Sequence, residues 1–228
     1  MYRFYHAWTP NVIKVSIALE EMELPHERIS VDISNGDQFK PEFLAISPNN
    51  KVPAIIDFAP TGRTEPFSLF ETGAILIYLA EKTGSFLPSG YFDRSTVLQW
   101  LMWQMAGFGP MLGQAHHFIY SPAEAQPYSV RRYVAETARL YGVLDRRLEG
   151  RSFICDEYSI ADMACWPWVI YRALHQQNLE NYPNVERWFL RIQERPAVQR
   201  AIDGLVIPPL TPSADVQAVL RDLEEAVP

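Results

Sequence analysis

The chain has 228 residues, 48% hydrophobic and 21% charged, which is enough apolar material for a packed core and excludes a disordered chain. Its net charge of −7 and lack of any basic run argue against non-specific nucleic-acid binding. No apolar run approaches the roughly 18 residues that a bilayer span needs, and Met1-Tyr2-Arg3 leads straight into a strand-like pattern, so neither membrane nor secretory leader is expected. The two cysteines, Cys155 and Cys165, show no CxxC or metal-ligand spacing, which points to a cytoplasmic, reducing compartment.

In chain order, Tyr2 to Tyr5 reads as a strand, followed by the turn Ala7-Trp8-Thr9-Pro10. Thr9 suits a helix N-cap and Pro10 the first helical position, so a helix is predicted to start there. Val12, Val15, Ile17, Ala18 and Leu19 form its buried side, and it should fade between Met22 and Pro25. Glu27 to Ile33 reads as a second strand, completing a βαβ unit. After the turn signal Asn35-Gly36-Asp37, a short helix is expected over Gln38 to Ala45. Ala54-Ile55-Ile56 and Phe67 to Phe70, separated by a Pro/Gly/Thr-rich segment, read as a hairpin. Pro53 cannot donate to a sheet ladder, which places it at the start of a strand, with a cis Val52-Pro53 bond one of its options. Val52 would then offer free backbone groups beside a helix opening at Glu71-Thr72-Gly73, whose apolar face is expected at Ala74, Ile75, Tyr78 and Leu79. The unit is predicted to span residues 1–83.

Thr83 to Tyr91 turns to Gly, Ser and Pro, as a linker does, and the strand pattern then stops. Leu98, Leu101, Met102 and Met105 follow helical spacing, and Gly107 to Pro110 should bend or interrupt that helix. Val134, Ala138, Tyr141, Leu144 and Leu148 define a second long helix, and Ser159-Ile160-Ala161-Asp162 caps a third through Leu174. Asp162 is read as structural, its carboxylate closing a capping box. Trp188 to Ile192 and Ala197 to Leu205 suggest two short helices, giving an all-helical unit over residues 91–204. The tail, 205–228, carries Pro208 to Pro212 and a weakly amphipathic stretch at Val216, Val219, Leu220 and Leu223.

An α/β unit followed by an all-α unit, with Asn50-Lys51-Val52-Pro53-Ala54, Phe70-Glu71-Thr72-Gly73-Ala74-Ile75 and Ser159 to Asp162, resembles the soluble glutathione transferases over about residues 1 to 204. Those segments look like the family's cis-proline segment, its glutathione-binding Glu-Ser segment and its capping box. Thr9-Pro10-Asn11, Gly36-Asp37-Gln38-Phe39, Ile46 to Lys51 and Gly109 to Gln114 are most similar to the bacterial Nu class. The resemblance implies a thioredoxin-like N-terminal domain, an all-helical C-terminal domain, a homodimer, glutathione as co-substrate and disulfide-bond reductase activity. Organic hydroperoxide reduction is a second activity within the same reading; the competing functions are conjugation of glutathione to electrophiles and a non-catalytic binding module on the same fold. Thr72 departs from the commoner serine but keeps a hydroxyl, and the tail lies outside the resemblance.

On that implication, Glu71 would accept from the γ-glutamyl amine, a charge-assisted bond of about 1.5–3 kcal/mol. The Thr72 N–H and hydroxyl would meet the γ-glutamyl carboxylate at a helix N-terminus. Val52, beside Pro53, would pair with the cysteinyl backbone, and Lys51 and Gln38 would reach the glycyl carboxylate. Arg132 resembles the Nu-class arginine that contacts glutathione, and its alternative is a solvated helix face. No cysteine sits where the first helix begins, so the reacting sulfur would come from glutathione, its thiolate held by Thr9 and Asn11. Thr9 also serves as a plain cap, and Tyr5 is the competing hydroxyl. Trp100, Trp103, Met105, Phe108 and Met111 read as core with a second reading as a pocket wall. His116 and His117 point about 100° apart on a helix, so no metal is expected, and Cys155 and Cys165 read as small buried residues.

Overall fold

A computed structural model describes residues 1–121, 126–207 and 209–225 of the chain. Four strands form one mixed sheet in the order β2-β1-β3-β4. β1 (Tyr2–His6) runs parallel to β2 (His26–Ser30), from Tyr2 opposite His26 to His6 opposite Ser30. A parallel pair needs a crossover, and α1 (Pro10–Glu21) supplies it. β3 (Ala54–Asp57) is antiparallel to β1, and β4 (Phe67–Phe70) is antiparallel to β3, forming the expected hairpin.

Two differences from the expected elements have local causes. β2 stops at Ser30, short of Ile33, because the Asp32 carboxylate accepts from the Ser34 and Asn35 N–H groups at 3.0 and 3.2 Å and closes a turn. The helix expected over Gln38 to Ala45 is broken into a 3₁₀ turn, Asp37–Phe39, and α2 (Pro41–Leu44). Lys40 between them is extended (φ −66°, ψ 141°), as a residue preceding proline prefers. In α3 (Thr72–Thr83) the buried face is Ile75, Leu76, Leu79 and Ala80, one residue round from expectation, and Ala74 is exposed. Tyr78 is half-buried, its hydroxyl donating to the buried Asp57 carboxylate at 2.7 Å.

The helical half begins with α4 (Tyr91–Trp103), which runs through a π-helical turn, Gln104–Phe108, into α5 (Gly109–Tyr120). The wider turn falls where Pro110 lacks the N–H that an uninterrupted helix would use. Val97 and Leu101 face the core, while Met102, expected on that face, is 47% exposed. α6 (Pro127–Arg147) buries Tyr141 and Leu144, with Leu148 just beyond its end, and leaves Val134 and Ala138 half-buried. α7 (Ile160–Ile170) is buried along almost its whole length and ends before Leu174, which lies in a 3₁₀ turn, Arg172–His175. α8 (Pro183–Gln193) and α9 (Pro196–Ala201) follow, α9 ending short of Leu205. In the tail, α10 (Ala214–Glu225) places Val216, Val219 and Leu220 in a cluster with Ala115, Ile119 and Val130. Pro208 and residues 226–228 of the tail lie outside the described residues.

α1 is the element on which both halves meet, packing on α3, α7 and α9. Every residue from Val12 to Leu19 is buried, Lys14 and Ser16 included. Ser16 Oγ donates to the Ala201 carbonyl at 3.0 Å, and Glu21 accepts two bonds from Arg195 at 2.5 and 2.8 Å.

Candidate active site

The end of β1 turns into α1 through Thr9, whose Oγ accepts from the Val12 N–H at 3.2 Å. Pro10 follows with no N–H to leave unsatisfied, and Asn11 is held in the first turn, half-buried. From the sheet side, the Val52-Pro53 bond is cis and leads into β3. Among the described residues neither the N–H nor the C=O of Val52 has a hydrogen-bond partner. The loop before it is held by Ser47, whose hydroxyl donates to the Lys51 carbonyl at 2.8 Å.

Glu71 caps α3 with φ 69° and ψ 115°, in the left-handed region that a branched side chain avoids at a cost of about 1–3 kcal/mol. Its side chain is exposed at the mouth of a cleft, and Thr72 behind it is buried. The Thr72 hydroxyl donates to Met105 Sδ at 3.4 Å, a weak acceptor that a carboxylate oxygen would displace. Gly73 permits that approach, since a Cβ there would stand 3.2 Å from Met105 Cγ.

These residues line one cleft with two compartments. A compartment of about 110 Å³ is bounded by Asn11, Ser47, Lys51, Val52, Pro53, Phe70, Glu71 and Thr72. It shares Asn11, Lys51, Glu71 and Thr72 with one of about 600 Å³ that runs between the two halves to Lys14, Gln104, Met105, Gly109 and Trp168. The cleft thus combines an acid, a cation, a side-chain amide, free backbone groups and a helix N-terminus, a set suited to a zwitterionic peptide in extended form.

Of the residues expected from sequence, Asn11, Lys51, Val52, Pro53, Glu71 and Thr72 come together here. Thr9 stands at the same helix start with its oxygen engaged in capping. Gln38 is not among the lining residues, and its amide donates to the Ile33 carbonyl at 3.2 Å. Arg132 lines a separate cavity of about 700 Å³ with Met111, Tyr128, Arg131 and Leu223. Though larger, that cavity lacks the convergence of backbone and charged groups found beside Glu71. Tyr5 packs against Phe43, ring centroids 5.8 Å apart, in a third cavity away from Asn11. Half-buried Trp103 stacks on the buried Phe108 and meets Trp100 edge-on, and only Met105 of the five apolar candidates borders the cleft.

Cys165 is buried and Cys155 half-buried, both as free thiols in the helical half. Burial pushes the Cys155 thiol up to about 11 and Cys165 well above its ordinary range, so neither supplies a thiolate. His116 stands 6.1 Å from the His175 ring, and among the described residues no three His, Cys, Asp or Glu side chains cluster as metal ligands.

Sequence reasoning passed over Lys14, Gln104 and Trp168. Lys14 is 1% exposed, its ammonium donating to Gln104 Oε1 at 2.7 Å with the Trp168 ring centroid 5.9 Å away. Burial drives its pKa down to about 7 against the attraction of the Glu71 carboxylate. A signal was present: Val12-Ile13-Lys14-Val15-Ser16-Ile17-Ala18-Leu19 is apolar right round the helix, and such a helix buries its polar residues too.

Comparison with known proteins gives matches of the same kind in both halves. Residues 8–82 match the family model described as glutathione S-transferase, N-terminal domain, and residues 108–196 match that of the glutathione S-transferase C-terminal domain. The chain is 52% identical over 203 residues to the disulfide-bond oxidoreductase YfcG of Escherichia coli, covering 89% of this chain and 94% of that one. It is similar to a crystal structure of a Burkholderia graminis glutathione transferase with two glutathione molecules bound per subunit: TM-score 0.83, 45% identity, covering 89% and 88% of the two chains. A glutathione transferase from Pseudomonas putida, with one glutathione disulfide bound per subunit, aligns with TM-score 0.83 and 43% identity over 90% and 92%.

Proposed function

The chain belongs to the glutathione S-transferase family, and on that premise we propose that it is a glutathione-dependent disulfide-bond reductase. The observation that carries the reading is a cleft at the start of α1 that gathers an acid, a cation and free backbone groups, with no cysteine among its lining residues. Both protein thiols lie elsewhere and are held protonated, so the nucleophilic sulfur is glutathione's own.

Glu71 accepts from the γ-glutamyl amine, and Thr72 takes the γ-glutamyl carboxylate with its N–H and its hydroxyl, released from Met105. The Val52 backbone pairs with the cysteinyl unit, and Lys51 faces the glycyl carboxylate. This places the sulfur at the start of α1, where the Asn11 amide and the Thr9 hydroxyl donate to it as a thiolate. Each hydrogen bond worth about 1.4 kcal/mol lowers the thiol pKa by one unit. The thiolate attacks one sulfur of the acceptor, a mixed disulfide forms and the other half leaves as a thiolate that takes up a proton. A second glutathione thiolate then attacks the mixed disulfide, yielding glutathione disulfide and the second reduced thiol. Gln38 and Arg132 line neither compartment; we assign them to the outer carboxylate end of bound glutathione, so Gln38→Ala and Arg132→Ala should raise KM for glutathione with kcat kept.

The proposed setting is cytoplasmic, where reduced glutathione is abundant; among the described residues no helix is long and apolar enough to cross a membrane. A homodimer is proposed through α4, which leaves Tyr91, Phe92 and Met102 at 78%, 81% and 47% exposure. Light scattering on the full chain tests it, a monomer at micromolar concentration being the contrary result.

The test of function is turnover of bis(2-hydroxyethyl) disulfide with glutathione, followed as glutathione disulfide formed. Wild type should turn over, and Asn11→Ala should lose about tenfold or more in kcat/KM, the equivalent of one hydrogen bond. A wild type without turnover, or Asn11→Ala and Thr9→Ala variants that match it, would defeat the mechanism.

A further inference from the structure

The larger compartment of the cleft is lined at its inner end by Lys14, Gln104 and Trp168. Lys14, 1% exposed, spends one of its three N–H bonds on Gln104 Oε1 at 2.7 Å. Lysine can only donate, so this bond fixes the Gln104 amide with Oε1 toward the ammonium and Nε2 turned away from it. Gln104 is fully buried, and among the described residues its Nε2 has no partner; nor does the buried Trp168 Nε1. Both nitrogens pack beside Gly109, where a Cβ would stand 2.5 Å from Gln104 Nε2 and 3.2 Å from Trp168 Nε1. Among the described residues no carboxylate forms a salt bridge with Lys14.

A buried cation without a counter-ion, beside two buried donors without acceptors, is a costly arrangement. The cost makes sense if the missing partner is a ligand. We propose that Lys14, Gln104 and Trp168 form an anion subsite at the inner end of the cleft that binds a carboxylate of the thiol or disulfide substrate. A carboxylate matches the donors because its two oxygens can accept from all three. Lys14 lies one helical turn beyond Asn11, so a carboxylate seated there belongs to a molecule whose sulfur reaches the start of α1. The inference rests on the reductase reading for its substrate class, though binding can be tested without turnover.

The charged and titratable groups facing Lys14 are few. Glu71 at the start of α3 attracts it, the Cys165 thiol of α7 stands near it, and Lys51 lines the same compartment. With Cys165 held protonated, the ammonium's own pKa of about 7 governs the charge at this end, and a bound carboxylate draws the proton back on. Affinity for the anion therefore falls as pH rises above 7.

The probes are two disulfides of similar size, the dicarboxylate 3,3′-dithiodipropionate and the neutral bis(2-hydroxyethyl) disulfide. Lys14→Met keeps the length of the side chain and removes its charge. In calorimetric titrations of the full chain, we expect the variant to bind dithiodipropionate at least tenfold more weakly, with the loss of affinity above pH 7 abolished, and to bind the neutral disulfide within twofold of wild type. If the carboxylate comes instead from glutathione itself, Lys14→Met weakens glutathione at least tenfold and leaves both disulfides alone, which also supports the subsite. Unchanged affinity for all three, or equal weakening of both disulfides with glutathione unaffected, overturns it. Trp168→Phe keeps the ring and removes only its N–H. It should weaken the same ligand about threefold, and it carries the test if Lys14→Met does not fold. Because these are binding measurements, a chain that binds the anion yet reduces no disulfide would refute the reaction and leave the subsite standing.

Discussion

Glu71 sits at positive φ with its carboxylate exposed, where glycine would relieve the backbone at once. The strain persists because the residue must end β4, start α3 and aim an acid into the cleft at the same time. Glu71→Gly is therefore expected to keep or raise the melting temperature while weakening glutathione at least tenfold, which thermal denaturation and calorimetry would read together. Lys14 makes the same bargain with charge. Its pKa of about 7 in the folded chain lies below the 10.5 of a free lysine, so between those values the unfolded chain holds more protons. Stability must then rise with pH from about 7 to 10.5, and below 7 the fold bears the full cost of the buried cation. Lys14→Met should flatten that rise and, at pH 6, stabilise the chain by about 1–4 kcal/mol, the range for replacing buried charges by apolar groups. Denaturant titrations at pH 6 and pH 9 would measure both effects.

At the scale of elements, α7 depends on one carboxylate. Asp162 accepts from the Ser159 N–H at 3.0 Å and its hydroxyl at 3.2 Å, from the Ile154 N–H at 2.9 Å and from Trp188 Nε1 at 2.8 Å. It therefore joins the capping box to the preceding loop and to α8. Asp162→Ala leaves four buried donors unpaired and should cost about 3–5 kcal/mol in urea unfolding, without a selective change in KM, because Asp162 lines neither compartment. The tail helix is a second case. Val216, Val219 and Leu220 are at most 8% exposed and cover Ala115, Ile119 and Val130. Removing residues 212–228 should lower stability by at least about 2 kcal/mol and increase binding of an apolar dye, while the cleft residues stay in place.

For the whole molecule, function depends on how the two halves are held against α1. The Arg195–Glu21 pair, the Ser16–Ala201 bond and the apolar face of α1 fix the helical half on the sheet half, and the larger compartment opens at that junction. Much of this was legible in the sequence, wherever the determinant is local. Thr9-Pro10, the hairpin runs, Val52-Pro53, the Glu71-Thr72 helix start and the Ser159–Asp162 capping box all act within a few residues. The βαβ order follows from hydrophobic period and turn chemistry. The early end of β2 and the break at Lys40 have local causes, but other misplaced features depended on neighbours distant in the chain: the rotation of α3 follows its packing, and exposed Met102 looked like a core residue because spacing does not say which side a partner covers. Only the tertiary structure decided that Gln38 and Arg132 stand outside the cleft. It alone brought Lys14, Gln104 and Trp168, drawn from positions as far apart as 14 and 168, to one buried end. The sequence by itself determined most of the elements and the capped turn that opens α1, because backbone preferences and capping are short-range. The shape and charge at the inner end of the cleft arise where helices from both halves meet, and no single segment carries that information.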